Sequence, residues 1–332
     1  MHSPIRIAQI GLGPLGQMLT PYLVKRSGIE IVSAIDIDPS KTNRDLGEVS
    51  QCARPLGIAI TDDLDRGLAD ADLAVVTTVS ELQRIAPTLK EIIDQGVNIV
   101  STCEELSYPW TTQPELSATI DTWAKERDVS VLGTGINPGF LMDFLPTAAT
   151  GVCHTVQSIR IERTQDASAR RLPFQQKIGA GLTVEEFQNL VAQQKIRHVG
   201  LTESMHMIAA RLGWQLDHTE DIVEPVLAEP GHCAGVLQTG RGYHNGREVL
   251  TLIFKAAVGQ LIHNGESIES QEHIQINGTP AYDLIIPGGI NGDIATCAVI
   301  ANAIPIVASA APGLRTMIDI PPLSCAQEIP EG

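Results

Sequence analysis

Gly11-Leu12-Gly13-Pro14-Leu15-Gly16 is a glycine run of the G-x-G-x-x-G type, and Asp36 stands twenty positions after its last member. The first glycine permits a tight turn, the second lets backbone approach a pyrophosphate, and the third lets a helix pack closely on a strand. A helix opening at such a turn offers unpaired N–H groups and the positive end of its dipole to phosphate. A carboxylate at position 36 is placed to accept hydrogen bonds from ribose hydroxyls. The chemistry indicated is dinucleotide binding by Gly11, Leu12, Gly13, Pro14, Leu15, Gly16 and Asp36. NAD is expected, because Asp36 repels a ribose phosphate and no arginine follows it directly; Lys41 and Arg44 are near enough to soften that choice and admit NADP. The plainer alternative is a glycine turn that only links a strand to a helix.

Glu104 and Glu105 lie in Ser101-Thr102-Cys103-Glu104-Glu105-Leu106, just past an apolar strand pattern. Burying a carboxylate is costly unless something pairs with it. Reduction of a carbonyl to an alcohol needs a proton donor at the substrate oxygen. A carboxylate suits different chemistry, in which it holds ammonia or ammonium, accepts its proton and stabilises a cationic iminium. Solvated loop residues or the cap of the next helix are the competing readings. Cys103 raises thiolate chemistry, as in aldehyde oxidation, but no nearby base supports it and a small buried thiol is the simpler account.

These residues need a frame to hold them. Residues 5–10 read as a strand, 15–25 as a helix and 30–35 as a second strand closed by Pro39. Strand patterns at 58–60, 73–76, 97–101 and 129–133 alternate with helical ones at 81–95 and 115–127. Short, fully apolar strands alternating with helices imply a parallel sheet covered on both faces. In such sheets ligands sit beyond the carboxyl ends of the strands, which adds Thr78 to the cofactor candidates. After Asn137-Pro138-Gly139 the texture changes to longer alternating strands at 156–163, 248–258 and 273–276, with helices around 183–186 and 203–212. The expected fold is α/β, a doubly wound Rossmann-type parallel sheet with a second α+β domain on an open mixed sheet. The expected boundaries are 1–138 for the dinucleotide-binding domain, 139–292 for a substrate and dimerisation domain, and 293–332 for a helix and tail returning to the first.

Composition narrows the function classes. The 332 residues are 43% hydrophobic and 19% charged, and the formal net charge is −16, so the summed field repels phosphate backbones and anionic lipid. Neither nucleic acid nor membrane is an expected partner. Six dispersed cysteines show no metal-like spacing, so no metal is expected. With no room for a signal segment before the first strand, the cytoplasm is the expected compartment.

Four stretches carry a resemblance: 101–106, Gly133-Thr134-Gly135-Ile136-Asn137-Pro138-Gly139-Phe140, Arg170-Arg171-Leu172-Pro173-Phe174-Gln175-Gln176-Lys177-Ile178-Gly179, and Gly292-Asp293-Ile294-Ala295-Thr296. Over nearly its whole length the chain resembles the family of 2,4-diaminopentanoate dehydrogenases and native amine dehydrogenases, relatives of the dihydrodipicolinate reductases. The resemblance implies reversible, NAD(P)H-dependent reductive amination of a small ketone or aldehyde with ammonia, of which a diamino acid such as 2,4-diaminopentanoate is one product class. It makes Glu104 the ammonia-handling carboxylate and Glu105 its neighbour, and it sets Asn137 beside the nicotinamide and substrate. Arg163 and Gln165 belong to a region that lines the substrate pocket, Gln165 standing where family members carry asparagine. Arg163 would pair with a substrate carboxylate, or with Asp166 or Glu104 instead. His263 and Asn302 are further pocket candidates, and a homodimer through the second-domain sheet is implied. Alternatives are an imine reductase of the dihydrodipicolinate reductase type and a non-catalytic NAD-binding sensor.

Overall fold

A computed structural model describes residues 3–168, 170, 172–228, 231–259, 262–263, 266–267 and 269–325. The chain divides into two compact units, residues 1–140 with 292–332, and residues 141–291. Along the first stretch run β1 (Ile5–Ile10), α1 (Pro14–Val24), β2 (Ile29–Ile35), α2 (Leu46–Val49), β3 (Ile60–Thr61), α3 (Leu64–Leu68), β4 (Leu73–Val76), α4 (Leu82–Asp94), β5 (Asn98–Ser101), α5 (Pro114–Glu126) and β6 (Ser130–Gly133). The second unit holds α6 (Phe144–Ala149), β7 (Thr155–Asp166), α7 (Leu172–Lys177), α8 (Val184–Ala192), α9 (Leu201–Leu212), β8 (His218–Ala228), β9 (His232–His244), β10 (Arg247–Ala257), β11 (Ile262–His263), β12 (Glu266–Ser267), β13 (Gln271–Thr279) and β14 (Tyr282–Pro287). The chain then re-enters the first unit as α10 (Gly292–Val307) and β15 (Gly313–Arg315).

The first unit is a seven-stranded sheet in the order β15-β6-β5-β4-β1-β2-β3, and every pairing in it is parallel. Strands β4 and β6 are buried at every residue, as both-face coverage requires. On one side Ala8, Ile10, Ala74 and Val76 pack with Leu82, Ile85 and Leu89 of α4 and Ile120 of α5. α10, which touches α1, also contacts β5 and β6. After Thr296 it is mostly apolar, and Ile300 and Ile304 have no exposure. Burying a side chain of that size stabilises by about 1.5–3 kcal/mol. The short strand β15 was not foreseen in the sequence; it adds to the open edge at β6, with Gly313 opposite Ser130.

The second unit carries a six-stranded sheet ordered β14-β13-β7-β10-β9-β8. β7 and β10 pair in parallel and their neighbours are antiparallel, so the sheet is mixed as the alternating runs implied. One face, with Val236, Phe254 and Ala256, packs on Phe187 of α8 and on Ile178 and Ile196. The Thr183 to Glu186 pattern forms a capping box at the start of α8, satisfying two N–H groups the helix would leave unpaired.

Candidate functional site

In the strand order, the chain leaves β1 toward β2 and β3 on one side and returns through β4 on the other. That reversal opens a crevice beyond the carboxyl ends of β1 and β4, and the glycine turn occupies it. Gly11 has φ +86, and a Cβ there would lie 2.7 Å from Thr78 Cγ2 and 2.8 Å from the Thr77 carbonyl. Thr77 Oγ1 donates to the Gly11 carbonyl at 2.6 Å, locking the two strand ends together; Thr77 has a part that the glycine pattern alone does not reveal. A Cβ on Gly16 would stand 2.0 Å from the Gly11 carbonyl oxygen, so its role is close helix–strand packing. Gly13 differs: it is the N-cap of α1, with no side-chain cap, and a Cβ on it would meet nothing within 4 Å. Open space ahead of an uncapped helix terminus is what a pyrophosphate requires.

Asp36 follows β2 and is 9% exposed. Its Oδ2 accepts from the Leu12 N–H at 2.6 Å and its Oδ1 from the Asp38 N–H at 2.8 Å. Lys41 Nζ lies 3.2 Å from both Asp36 and Asp38, so the cation that was expected to soften the cofactor choice is shared between two carboxylates. Leu12 itself is fully buried beside Ala34, Leu46 and Ile60; its side chain anchors the turn. Pro14 is exposed and Leu15 half-buried at the first turn of α1.

Beyond β5, Glu104 to Leu106 form a single 3-10 turn. Glu104 is half-buried, and its carbonyl accepts from Ser107 Oγ at 2.7 Å. Glu105 is used differently. Its Oε2 accepts from the Leu82 N–H and from Gln113 Nε2, each at 2.8 Å, so this oxygen caps α4. Cys103 is 1% exposed and its thiol donates to the Ser80 carbonyl at 3.1 Å. Burial pushes that thiol well above its ordinary pKa, opposite to the lowered value a thiolate nucleophile needs.

After β6, Thr134 N–H donates to the Ser101 carbonyl at 2.8 Å and Ile136 N–H to Thr296 Oγ1 of α10 at 3.3 Å. These bonds hold the loop in which Asn137 precedes a cis Pro138. A Cβ on Gly133 would come within 2.6 Å of Leu106 backbone, so this glycine lets the Glu104 turn and the Asn137 loop close on one another. Gly11 to Gly16, Asp36, Thr78, Glu104 and Asn137 thus follow the carboxyl ends of five strands along one sheet edge.

The remaining candidates stand on other elements. Arg163, on β7, is 2% exposed. Its Nη2 donates to the Ile290 carbonyl at 3.0 Å, and its Nη1 lies 3.7 Å from Glu272 Oε1. The same carbonyl accepts from Gln165 Nε2 at 3.1 Å, while Arg170 Nη1 donates to Gln165 Oε1 at 3.0 Å. Glu272 in turn accepts from the Ile290 N–H at 3.2 Å. Arg163 therefore pairs with Glu272, not Asp166 or Glu104, and both it and Gln165 grip the peptide two residues before α10. Burial lowers the Arg163 pKa to about 10 despite that partner, and burial likewise raises that of Glu272. Asn302, on α10, accepts from Arg26 Nη2 at 2.6 Å, just beyond the C-terminal end of α1 and so at the opposite end of that helix from the glycine turn. The His263 backbone belongs to β11; its side chain lies outside the described residues. No group of metal-binding side chains occurs among the described residues, and none of their helices is long and apolar enough to cross a membrane.

Known proteins share this organisation. Residues 140–329 match the family model of the 2,4-diaminopentanoate dehydrogenase C-terminal domain, and residues 5–104 that of the dihydrodipicolinate reductase N-terminus. The chain is 32% identical to a 2,4-diaminopentanoate dehydrogenase of Acetoanaerobium sticklandii, over 96% of this chain and 93% of that one. It is 25% identical to an amine dehydrogenase of Streptomyces virginiae, over 64% of this chain and 60% of that one. The solved structure of an amine dehydrogenase from Mycobacterium smegmatis superposes with a TM-score of 0.85 at 27% identity, covering 98% of each chain.

Proposed function

The chain belongs to the 2,4-diaminopentanoate dehydrogenase family, and from that membership we propose that it catalyses the reversible reductive amination of a small ketone or aldehyde with ammonia. The family makes it an NAD(P)-dependent oxidoreductase acting on amine groups. The observation that carries the finer reading is the half-buried Glu104 at the carboxyl edge of the sheet that bears the glycine turn.

Glu104, as a carboxylate, holds ammonium beside the carbonyl carbon and takes its proton, leaving neutral ammonia to attack. Once ammonia has added, Glu104 returns that proton to the carbinolamine hydroxyl, which departs as water, and as a carboxylate again it stabilises the positive charge of the iminium that remains. When bound, the reduced cofactor supplies the hydride that this carbon accepts. Asn137 lies in the loop after the next strand and completes the edge against the nicotinamide. Asp36 holds the ribose hydroxyls, which favours NAD over NADP. Glu105, Arg163, Gln165 and Asn302 stay outside this machinery, because their polar groups are taken up by α4, by Ile290 and by Arg26.

Diamino acids such as 2,4-diaminopentanoate, named for the relative in Acetoanaerobium sticklandii, are one substrate class within this reading. The match to a dihydrodipicolinate reductase N-terminus favours a second reading, reduction of a preformed imine, while the C-terminal match favours amine chemistry. A cytoplasmic homodimer through the mixed sheet, which the family resemblance implies, belongs to the same proposal. The deciding experiment measures NADH oxidation with ketones, aldehydes and amino-ketones, with and without ammonium. Turnover that requires ammonium is expected; equal turnover of a cyclic imine without it would sink the amination reading.

A further inference from the structure

A cavity of about 460 Å³ lies where α1 ends, lined by Tyr22, Lys25, Arg26, Asn302 and Cys325, with Ala298 and Ala301 of α10 among its apolar walls. The eleven residues of α1, at about 1.5 Å each, set it roughly 16 Å from the phosphate turn at the other end of that helix. A ligand here would be neither the dinucleotide nor a molecule at Glu104.

The charge of this cavity opposes that of the whole chain. Against a net charge of −16, its lining holds two cations and no carboxylate. Among the described residues neither Lys25 nor Arg26 forms a salt bridge. Cations just past a helix C-terminus complement its dipole, which accounts for basic residues at these positions. It does not account for how Arg26 is held. Its Nη2 donates to Asn302 Oδ1 at 2.6 Å, and its Nη1 reaches only Cys325 Sγ, at 3.8 Å. A guanidinium fixed by one edge keeps its other donors for a planar, two-oxygen acceptor. With its oxygen engaged by Arg26, the Asn302 amide retains its own NH2 as a donor.

We propose that this cavity is a binding site for a small organic carboxylate, its anionic end taken by Arg26 and Lys25 and its short carbon chain by the alanine face of α10. The apolar wall is what selects an organic acid over inorganic phosphate, which has no surface to bury there. The inference is independent of the amine chemistry at Glu104.

Isothermal titration of succinate into the full chain saturated with NADH tests it, with dimethyl succinate and inorganic phosphate as comparison ligands. Saturable one-site succinate binding is expected, with phosphate weaker and the uncharged ester silent. Removing both cations in Lys25→Gln/Arg26→Gln should weaken succinate at least about tenfold while NADH affinity, the check on folding, is retained. Ala298→Asp, which adds an acid to the wall and leaves both cations in place, should weaken it as well. Unchanged binding in either variant, equal binding of the ester, tighter binding of phosphate, or no saturable succinate binding by the wild type would each overturn the proposal.

Discussion

Glu104 sits half-buried in a three-residue turn after a parallel strand, whereas Arg163, late in a strand of the mixed sheet, is 2% exposed and committed to Ile290 and Glu272. Both are charged residues near the end of a strand, and both looked like ligand contacts in the sequence. In the mixed sheet the charge is buried: its partners come from the same unit, and burial moves both members of the ion pair toward neutrality. At the parallel edge, short turns after five strands leave side chains along one rim. What separates the two is position: Glu104 follows a strand at the edge that bears the glycine turn, and Arg163 lies within a strand of the other sheet.

The contrast breaks most readily at Glu104. Glu104→Gln should lower ammonia-dependent turnover by about 10²–10⁴-fold, the range for a positioned acid or base, with NADH binding measured by fluorescence unchanged. Near-wild-type turnover would remove Glu104 from the mechanism. The reverse holds at Arg163. Arg163→Met leaves Glu272 buried without its cation and should destabilise by about 3–5 kcal/mol in urea unfolding, with much of the loss recovered by adding Glu272→Leu. A raised KM at unchanged stability would instead make Arg163 a substrate ligand.

His198 sharpens the picture of a sealed second unit. It stacks on Phe254 at 4.5 Å, and burial, with the nearby Lys177, Arg163 and Arg170 cations, lowers its pKa from 6.5 to about 3. The unfolded chain therefore takes up this proton first. The group's contribution to stability is full above pH 6.5 and lost as pH falls toward about 3, at about 1.4 kcal/mol per pH unit. His198→Phe should flatten this dependence by about 2 kcal/mol at pH 5, read from urea midpoints at pH 7 and pH 5.

Two smaller effects probe the parallel edge. Gly13→Ala should leave the urea midpoint nearly unchanged, since φ −65 suits alanine, yet weaken NADH about tenfold as the methyl enters the pyrophosphate space. Equal NADH affinity would place the cofactor elsewhere. Glu105→Ala should cost about 1 kcal/mol of stability, the value of a lost helix cap, with turnover close to wild type. A collapse of turnover there would return Glu105 to the chemistry.

The sequence by itself determined the parallel sheet, the glycine turn with Asp36, and the position of Glu104 past its strand. These depend on hydrophobic period, turn chemistry and short spacings, which are local properties of the chain. Tertiary structure decided which charges stay at the rim. Arg163 meets Ile290 across 127 positions and Asn302 meets Arg26 across 276, and Glu105 caps a helix whose first residue lies 23 positions earlier. β15 was missed for the same reason: three residues become a strand only because the edge of β6 is there to receive them. Pairings over such separations leave no periodic trace, since they are fixed by where the packed elements bring the chain rather than by the residues beside them.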